Sequence, residues 1–517
     1  MPDPLAALRP RVLPALILAL PFAFASIAQE KGTDQQAHIR RIESQTFEVQ
    51  FAANEAPQQL SLAKLMEIYR VPALSVSVIQ DYKIAWAKAY GVTDVGATTP
   101  ATTKTLFQAG SISKPVAAAG ALFLVEQGKL KLDQDVNLEL KTWKVPGNEF
   151  TKTEKVTLRR LMSHTAGLTV HGFPGYDGND AIPSIVQILN GEKPANTAPV
   201  RVDMVPGTKE RYSGGGVTIE QLMVMDATGK PFPEFMRETV LDRIGMRDSS
   251  YEQPLPPSRA SQTAGGTRSD GKAIHGRWHI YPEMAAAGLW TTPTDLASFA
   301  IEIALSKQGK ANHVLSQKMT SEMLTPVLDE AGLGFFMEKD NPGQFGHNGA
   351  DEGFQALLTM NADTGNGIAV MANSDQGINL AQFLVRRVAN EYAWNYKLHP
   401  ATFSTLLVIM RMRGVDAGLQ RYTELKQAGD STVDEGILNG LGYMLLYDDG
   451  LTDGAIKVFE RNVKEYPQSG NVYDSLGEAF MKAGKKDQAI ANYEKALELD
   501  PKSQNAAEKL RQLKAQK

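Results

Sequence analysis

An α+β domain followed by an all-α module is the architecture this sequence predicts, and three observations carry it. Apolar runs at Ala73–Gln80 and Ile84–Gly91, and again at Phe354–Met360 and Gly367–Asn373, read as hairpins at the two ends of one region. Helical spacing dominates the sequence between them. The sheet is therefore expected to be antiparallel, built from both ends around a helical insertion. Beyond about Lys397 the strand patterns stop, and the chain repeats itself at the interval separating Gly450 from Gly484.

Composition bounds the reading first. The chain has 517 residues, a length that suits two or three domains. A formal net charge of −4 and a pI near 6.1 give no electrostatic case for nucleic acid. There is no cysteine, so disulfides, thiolate metal sites, a cysteine nucleophile and a lipidated cysteine are all excluded. Arg9 and Arg11, the apolar run Val12–Phe24 and the small residues of Ser26-Ile27-Ala28 form a secretory signal pattern over 1–28. That run is short of the ~20 residues a membrane span needs, so export to the periplasm or beyond is expected, with cleavage after Ala28. The expected division is a signal segment 1–28, a lead-in 29–57, an α+β domain 58–395, a linker 396–415 and a repeat module 416–517.

The lead-in is polar and mixed in pattern. Leu60, Leu62, Leu65, Met66 and Tyr69 then follow helical spacing, and the first hairpin turns at Asp81-Tyr82-Lys83. Next comes the stretch on which the functional reading rests, FQAGSISKPVAAAGALFLVEQG from Phe107 to Gly128. Gly110 permits a tight turn, Pro115 is tolerated in a first helical turn, and Gly128 supplies a stop. Val116–Val125 is apolar on every face, so this helix should be buried. Ser111 and Lys114, at i and i+3, share one face. A helix N-terminus and dry surroundings both oppose a further positive charge on Lys114, which leaves its amine free to take the Ser111 proton.

Val156–Leu168 reads as a short amphipathic helix entering a loop, and His171–Gly207 as an irregular rim rich in Gly, Pro, Asn and Asp. Val217–Thr228 and Phe232–Ile244 look helical, and Thr292-Pro293-Thr294-Asp295 opens a further helix. The second hairpin turns at Asp363-Thr364-Gly365-Asn366. His164 reads as a structural histidine bonding loop backbone, and His171 as a neighbour of the cleft. His275 and His279 have the i,i+4 spacing of a metal pair, but the glutamate of H-E-x-x-H is absent and Gly276 weakens a helix there. No G-x-S-x-G elbow, P-loop or Gly-rich dinucleotide turn occurs.

In the last region Gly450 matches Gly484, Asp453 Asp487, Ala455 Ala489, Phe459 Tyr493 and Pro467 Pro501. Small residues where helices cross, an aromatic in the second helix and a closing proline, repeated about every 34 residues, are the tetratricopeptide pattern. Thr402–Gln427 reads as a degenerate earlier unit. So few repeats bury little surface alone, and packing on the catalytic domain or on a protein partner is expected.

Four short pieces stand in order: FQAGSISK, Leu161-Met162-Ser163-His164-Thr165-Ala166-Gly167-Leu168, Tyr212-Ser213-Gly214 after Pro206-Gly207, and His347-Asn348-Gly349. Together they resemble the serine β-lactamase and penicillin-binding superfamily, nearest its class C-like branch of esterases and D-aminopeptidases, over roughly 58–395. The resemblance implies that superfamily's antiparallel sheet flanked by helices, with a helical subdomain. It implies Ser111 as acyl-forming nucleophile, Lys114 as its proton acceptor and Tyr212 as proton shuttle to the leaving group. His347, Asn348 and Gly349 would flank substrate along a strand, and the N–H groups of Ser111 and Ala350 would form the oxyanion hole. No metal or organic cofactor is implied.

Two departures bear on specificity. Gly214 stands where the Y-x-N pattern has a side-chain amide, and His347 stands where the lysine of K-T-G would meet a substrate carboxylate. Both point to small esters or peptides, including those with D-amino acids. The alternatives are a β-lactamase or DD-peptidase, or a non-catalytic binder of cell-wall peptides or β-lactams whose repeats recruit a partner.

Overall fold

A computed structural model describes residues 34–398 and 400–515; the expected signal segment lies outside them. The second half of the lead-in is regular structure. A helix over 34–44 precedes β1 (Phe47–Val49), which pairs antiparallel with β2 (Gln58–Leu60). Leu60 therefore closes a strand and does not open a helix. The helix starts one residue after Ser61, whose side chain accepts the Lys64 N–H and caps α1 (Leu62–Ile68).

β3 (Ala73–Gln80) and β4 (Lys83–Gly91) form the expected hairpin. Asp81 and Tyr82 take φ of 50° and 61°, the mirror-image turn whose twist suits two-residue hairpins. The helical insertion then supplies α2 (Ser113–Glu126), α3 (Gly214–Thr228), α4 (Met284–Ala287) and α5 (Pro293–Lys307). The chain returns through β5 (Phe336–Glu338), β6 (Asn341–Asp351), β7 (Phe354–Asn361) and β8 (Asn366–Ala372). Strand order is β4-β3-β8-β7-β6-β5, antiparallel throughout. The sheet is thus assembled from both ends of the domain, as the hairpin positions require. Inside the rim 171–207, expected to be irregular, Ile185–Asn190 is helical because Ser184 and Gln187 form a reciprocal capping box.

Side chains alternate along each strand, so the sheet separates two cores. Ile79, Phe345, Leu358, Met360, Ala369 and Met371 join the core that holds α2, α3 and α5. Leu74, Val76, Val78, Leu357, Ile368 and Val370 face the opposite way, into a core shared with α6 (Gly377–Glu391) and the C-terminal helices.

Those helices are α7 (Thr402–Arg413), α8 (Val415–Gln427), α9 (Glu435–Tyr443), α10 (Thr452–Glu465), α11 (Gly470–Lys482), α12 (Lys486–Leu499) and α13 (Gln504–Ala515). The stretch 396–415, read from sequence as a linker, contains α7. Its Leu406, Leu407, Val408 and Ile409 are fully buried, so this is a packed element and not a tether. Burying four consecutive large aliphatic side chains is strongly favourable, and the second core takes all four. Arg411 pairs with Asp449 at 3.1 Å, and the Ala53 N–H donates to Glu424 at 2.8 Å, which ties the lead-in and the helical module together. Within the repeats, a Cβ at Gly442 would lie 2.4 Å from Phe459, and one at Gly477 would lie 3.2 Å from Tyr493. The small-and-aromatic pairing seen in the sequence is therefore a helix crossing made close by glycine.

Candidate active site

The turn that presents Ser111 begins at Gly110, whose φ of +51° suits glycine. Gly110–Ile112 is a 3-10 turn, and the α-helix starts at Ser113. Ser111 thus precedes the helix and Lys114 lies in its first turn, a slight revision of the placement expected from sequence. The turn is pinned from several sides. Ser113 Oγ donates to Gly110 O at 2.6 Å and accepts the Leu289 N–H at 3.0 Å, while Tyr251 Oη donates to Ser113 O at 2.6 Å. Every residue from Val116 to Leu122 is buried, as the apolar run predicts.

Lys114 is only 3% exposed, yet its amine keeps two polar partners. Nζ donates to Ser111 Oγ at 2.8 Å and to the Ala286 carbonyl at 2.8 Å. It also lies 4.9 Å from the centre of the Tyr212 ring. The Tyr212 ring in turn sits 4.2 Å from His164, 5.0 Å from His171 and 6.1 Å from His347, centre to centre. Ser111, Lys114, Tyr212 and His347, far apart in sequence, thus meet at one place. A partly accessible hydroxyl beside a buried amine is the arrangement that proton transfer from serine requires.

β6 passes directly beside the Ser111 turn. A Cβ at Gly349 would lie 1.9 Å from the Ala109 carbonyl, and one at Gly110 would lie 2.4 Å from the Ala350 nitrogen. Only glycine at both positions lets the two backbones approach this closely. The Ala350 N is thereby brought to the turn that carries Ser111. Asn348 is separated from the site: it pairs with Leu357, which belongs to the second core, and its side chain is exposed on that side.

His347 is buried, 7% exposed, and its Nδ1 donates to the Asn348 carbonyl at 2.5 Å. A carbonyl only accepts, so Nδ1 carries the proton and Nε2 is left as a lone-pair atom without a partner among the described residues. Burial, with Lys114 nearby, pushes the ring down to about 3, so it is neutral at ordinary pH. The weak cation expected at this position is absent. His164 accepts the Ser213 N–H on Nδ1 at 3.2 Å, the backbone role read from sequence, but its ring also walls the site against Tyr212. His275 is bonded to Asp177 and His279 to the Pro174 carbonyl, so both histidines tie down the rim.

Sequence reasoning did not find Phe336, whose ring lies 5.5 Å from His347 and 6.3 Å from Tyr212. Nor did it find the buried carboxyls Glu220, Glu283 and Asp351. Glu220 lies on α3, and its Oε1 has no partner among the described residues. Burial pushes it up to about 8 against the opposing pull of Lys114. A carboxyl raised on folding stays protonated where the unfolded chain has ionised, so its contribution is full below about 4.5 and is lost as pH rises through about 8. Glu220→Gln keeps the shape and removes the titration. Thermal melts should show the variant gaining on the wild type between pH 5 and pH 8, with the larger difference at pH 8. A constant difference across that range would contradict the assignment.

The sequence model of the beta-lactamase family matches residues 61–393, and that of the tetratricopeptide repeat matches 475–503. A beta-lactamase of Pseudomonas fluorescens is 28% identical over 238 residues, covering 46% of this chain and 60% of that protein, less than two thirds of its length. The octameric penicillin-binding protein homologue from Pyrococcus abyssi superposes with a TM-score of 0.54 at 21% identity, over 65% of this chain and 76% of that one. The D-amino acid amidase from Ochrobactrum anthropi SV3, solved with L-phenylalanine amide, superposes with a TM-score of 0.50 at 20% identity, over 63% and 98%.

Proposed function

The chain belongs to the beta-lactamase family of serine hydrolases, with a tetratricopeptide repeat at its C-terminal end, and we propose that it hydrolyses small uncharged acyl esters or amides through a Ser111 acyl-enzyme. The observation that carries this reading is the buried Lys114 amine held 2.8 Å from Ser111 Oγ by a second bond to Ala286 O.

In the proposed reaction Ser111 Oγ bonds to the substrate carbonyl carbon as its proton passes to the Lys114 amine. The carbonyl electron pair moves to oxygen, which the N–H groups of Ser111 and Ala350 stabilise. Collapse breaks the bond to the leaving alcohol or amine, which takes the proton from Lys114 by way of Tyr212. Water then adds to the acyl carbon as its proton passes to the same groups, and collapse breaks the bond to Ser111 Oγ, which takes that proton back as the acid leaves. His347 is neutral and Gly214 has no side chain, so neither grips a carboxylate or an amide as a β-lactam or D-Ala-D-Ala substrate would need. This favours esters and simple amides over β-lactamase or DD-peptidase work. The intact pairing of Ser111 with Lys114 favours turnover over a purely binding role.

The signal pattern at 1–28 supports export, and among the described residues no helix is long and apolar enough to cross a membrane. The repeat helices supply a surface of the kind used to recruit a protein partner. Intact-mass spectrometry of the full chain incubated with a chromogenic ester, a D-amino acid amide and a penicillin tests the proposal. A transient acyl adduct on Ser111, with turnover of the ester or the amide, is the expected result. Equal turnover by Ser111→Ala would overturn it.

A further inference from the structure

The absent amide at position 214 has a structural counterpart in the rim. The loop 169–173 lies directly on the N-terminus of α3. Gly214 and Gly215 donate their N–H groups to His171 O at 2.9 Å and Val170 O at 3.0 Å, and Ser213 Oγ donates to Thr169 O at 2.8 Å. Val170 takes a φ of +64°, costly for a β-branched residue, and these bonds hold it there. Three successive glycines, 214 to 216, leave the helix end bare enough for the loop to dock. A Cβ at Gly214 would lie 3.0 Å from Phe173 Cε2 and 3.1 Å from His171 O. The aromatic ring of Phe173 thus stands against the position from which an asparagine side chain would project.

The consequence is chemical. The same rim loop brings His171 within 5.0 Å of the Tyr212 ring, and Phe173 follows on that loop against Gly214, two residues after Tyr212 in the chain. Phe336 lines the site beside Tyr212 and His347, and the His347 ring is uncharged. An aromatic ring thus stands where the Y-x-N pattern would put a side-chain amide. Resting on the acyl-enzyme reading above, we propose that Phe173 is a specificity-determining residue. It makes the site select substrates whose acyl group carries an aromatic or large apolar substituent and no carboxylate.

The test compares kcat/KM of the full chain for the 4-nitrophenyl esters of acetate, phenylacetate and succinate. The wild type should prefer phenylacetate over both others. In Phe173→Ala the phenylacetate-to-acetate ratio should fall about tenfold, the usual scale for losing apolar contact in a pocket. Phe173→Leu, which retains most of the volume, should recover part of the ratio. Gly214→Asn should be poorly folded or inactive alone and better tolerated with Phe173→Ala, because the ring no longer blocks the new side chain. A ratio unchanged in Phe173→Ala, or a wild type that prefers the succinate ester, would overturn the inference while leaving the acyl-enzyme in place. Loss of the Ser111 requirement in the same assay would instead overturn the hydrolase reading.

Discussion

Ser111→Ala should lower kcat for an accepted ester by about 10⁴-fold or more, and Lys114→Ala should cost nearly as much. The physical reason is that the two side chains act as one unit. Ser111 is a poor nucleophile until its proton has somewhere to go, and Lys114 Nζ, 2.8 Å from Oγ, is the base proposed to take it. The bond to the Ala286 carbonyl holds the amine beside Oγ, within reach of its proton. Groups that work as a unit are strongly non-additive, and the double variant Ser111→Ala, Lys114→Ala should therefore be about as slow as either single one. Steady-state kinetics of the three variants, beside thermal melts to confirm folding, give the answer. Multiplying losses would mean that Lys114 assists the reaction by a route independent of Ser111, and the proposed proton path would fail.

Much of this was legible locally, and the exceptions share a cause. The Ser111–Lys114 pair, both hairpins and the repeats are short-range patterns, set by helix spacing, strand alternation and turn chemistry. What escaped the sequence arises where distant segments meet. His347 is neutral because burial beside Lys114 strips its solvent, and no local pattern marks that burial. The Asn348 side chain leaves the site because β6 alternates, a fact hidden until the strand's register is known. Glu220 looks like an ordinary helical glutamate in sequence, and only the packing of α3 makes it a buried acid. The expected linker holds α7: the composition shift after Lys397 marks the change to continuous helix, but burial of Leu406–Ile409 depends on packing against α8, α9 and the distant α1. Phe173 and Gly214 each look unremarkable alone, and their relation exists only in the docked rim.

The second large effect concerns backbone, not side chains. Gly349→Ala should lower kcat by about 10²–10³-fold, the scale of losing an oxyanion donor, and reduce stability by roughly 1–3 kcal/mol through overpacking. The new Cβ would be 1.9 Å from the Ala109 carbonyl oxygen and 2.9 Å from its carbon, backbone atoms that cannot swing away as a side chain could. β6 is held by its ladder to β7, and the Ser111 turn is held by Ser113, Tyr251 and the Ala109 N–H bond to Leu289 O at 2.9 Å. Relief must come from separating strand and turn, which moves the Ala350 N–H away from Ser111. A shift of a few tenths of an ångström in one donor weakens the stabilised transition state far more than it weakens substrate binding. The loss should therefore fall on kcat with KM changed little. Gly178→Ala is the control, since a Cβ there meets nothing within 4 Å. If Gly349→Ala kept wild-type kcat while Gly178→Ala behaved the same way, the apposition of β6 with the Ser111 turn would have no part in catalysis. The oxyanion site would then have to be built from groups other than Ala350.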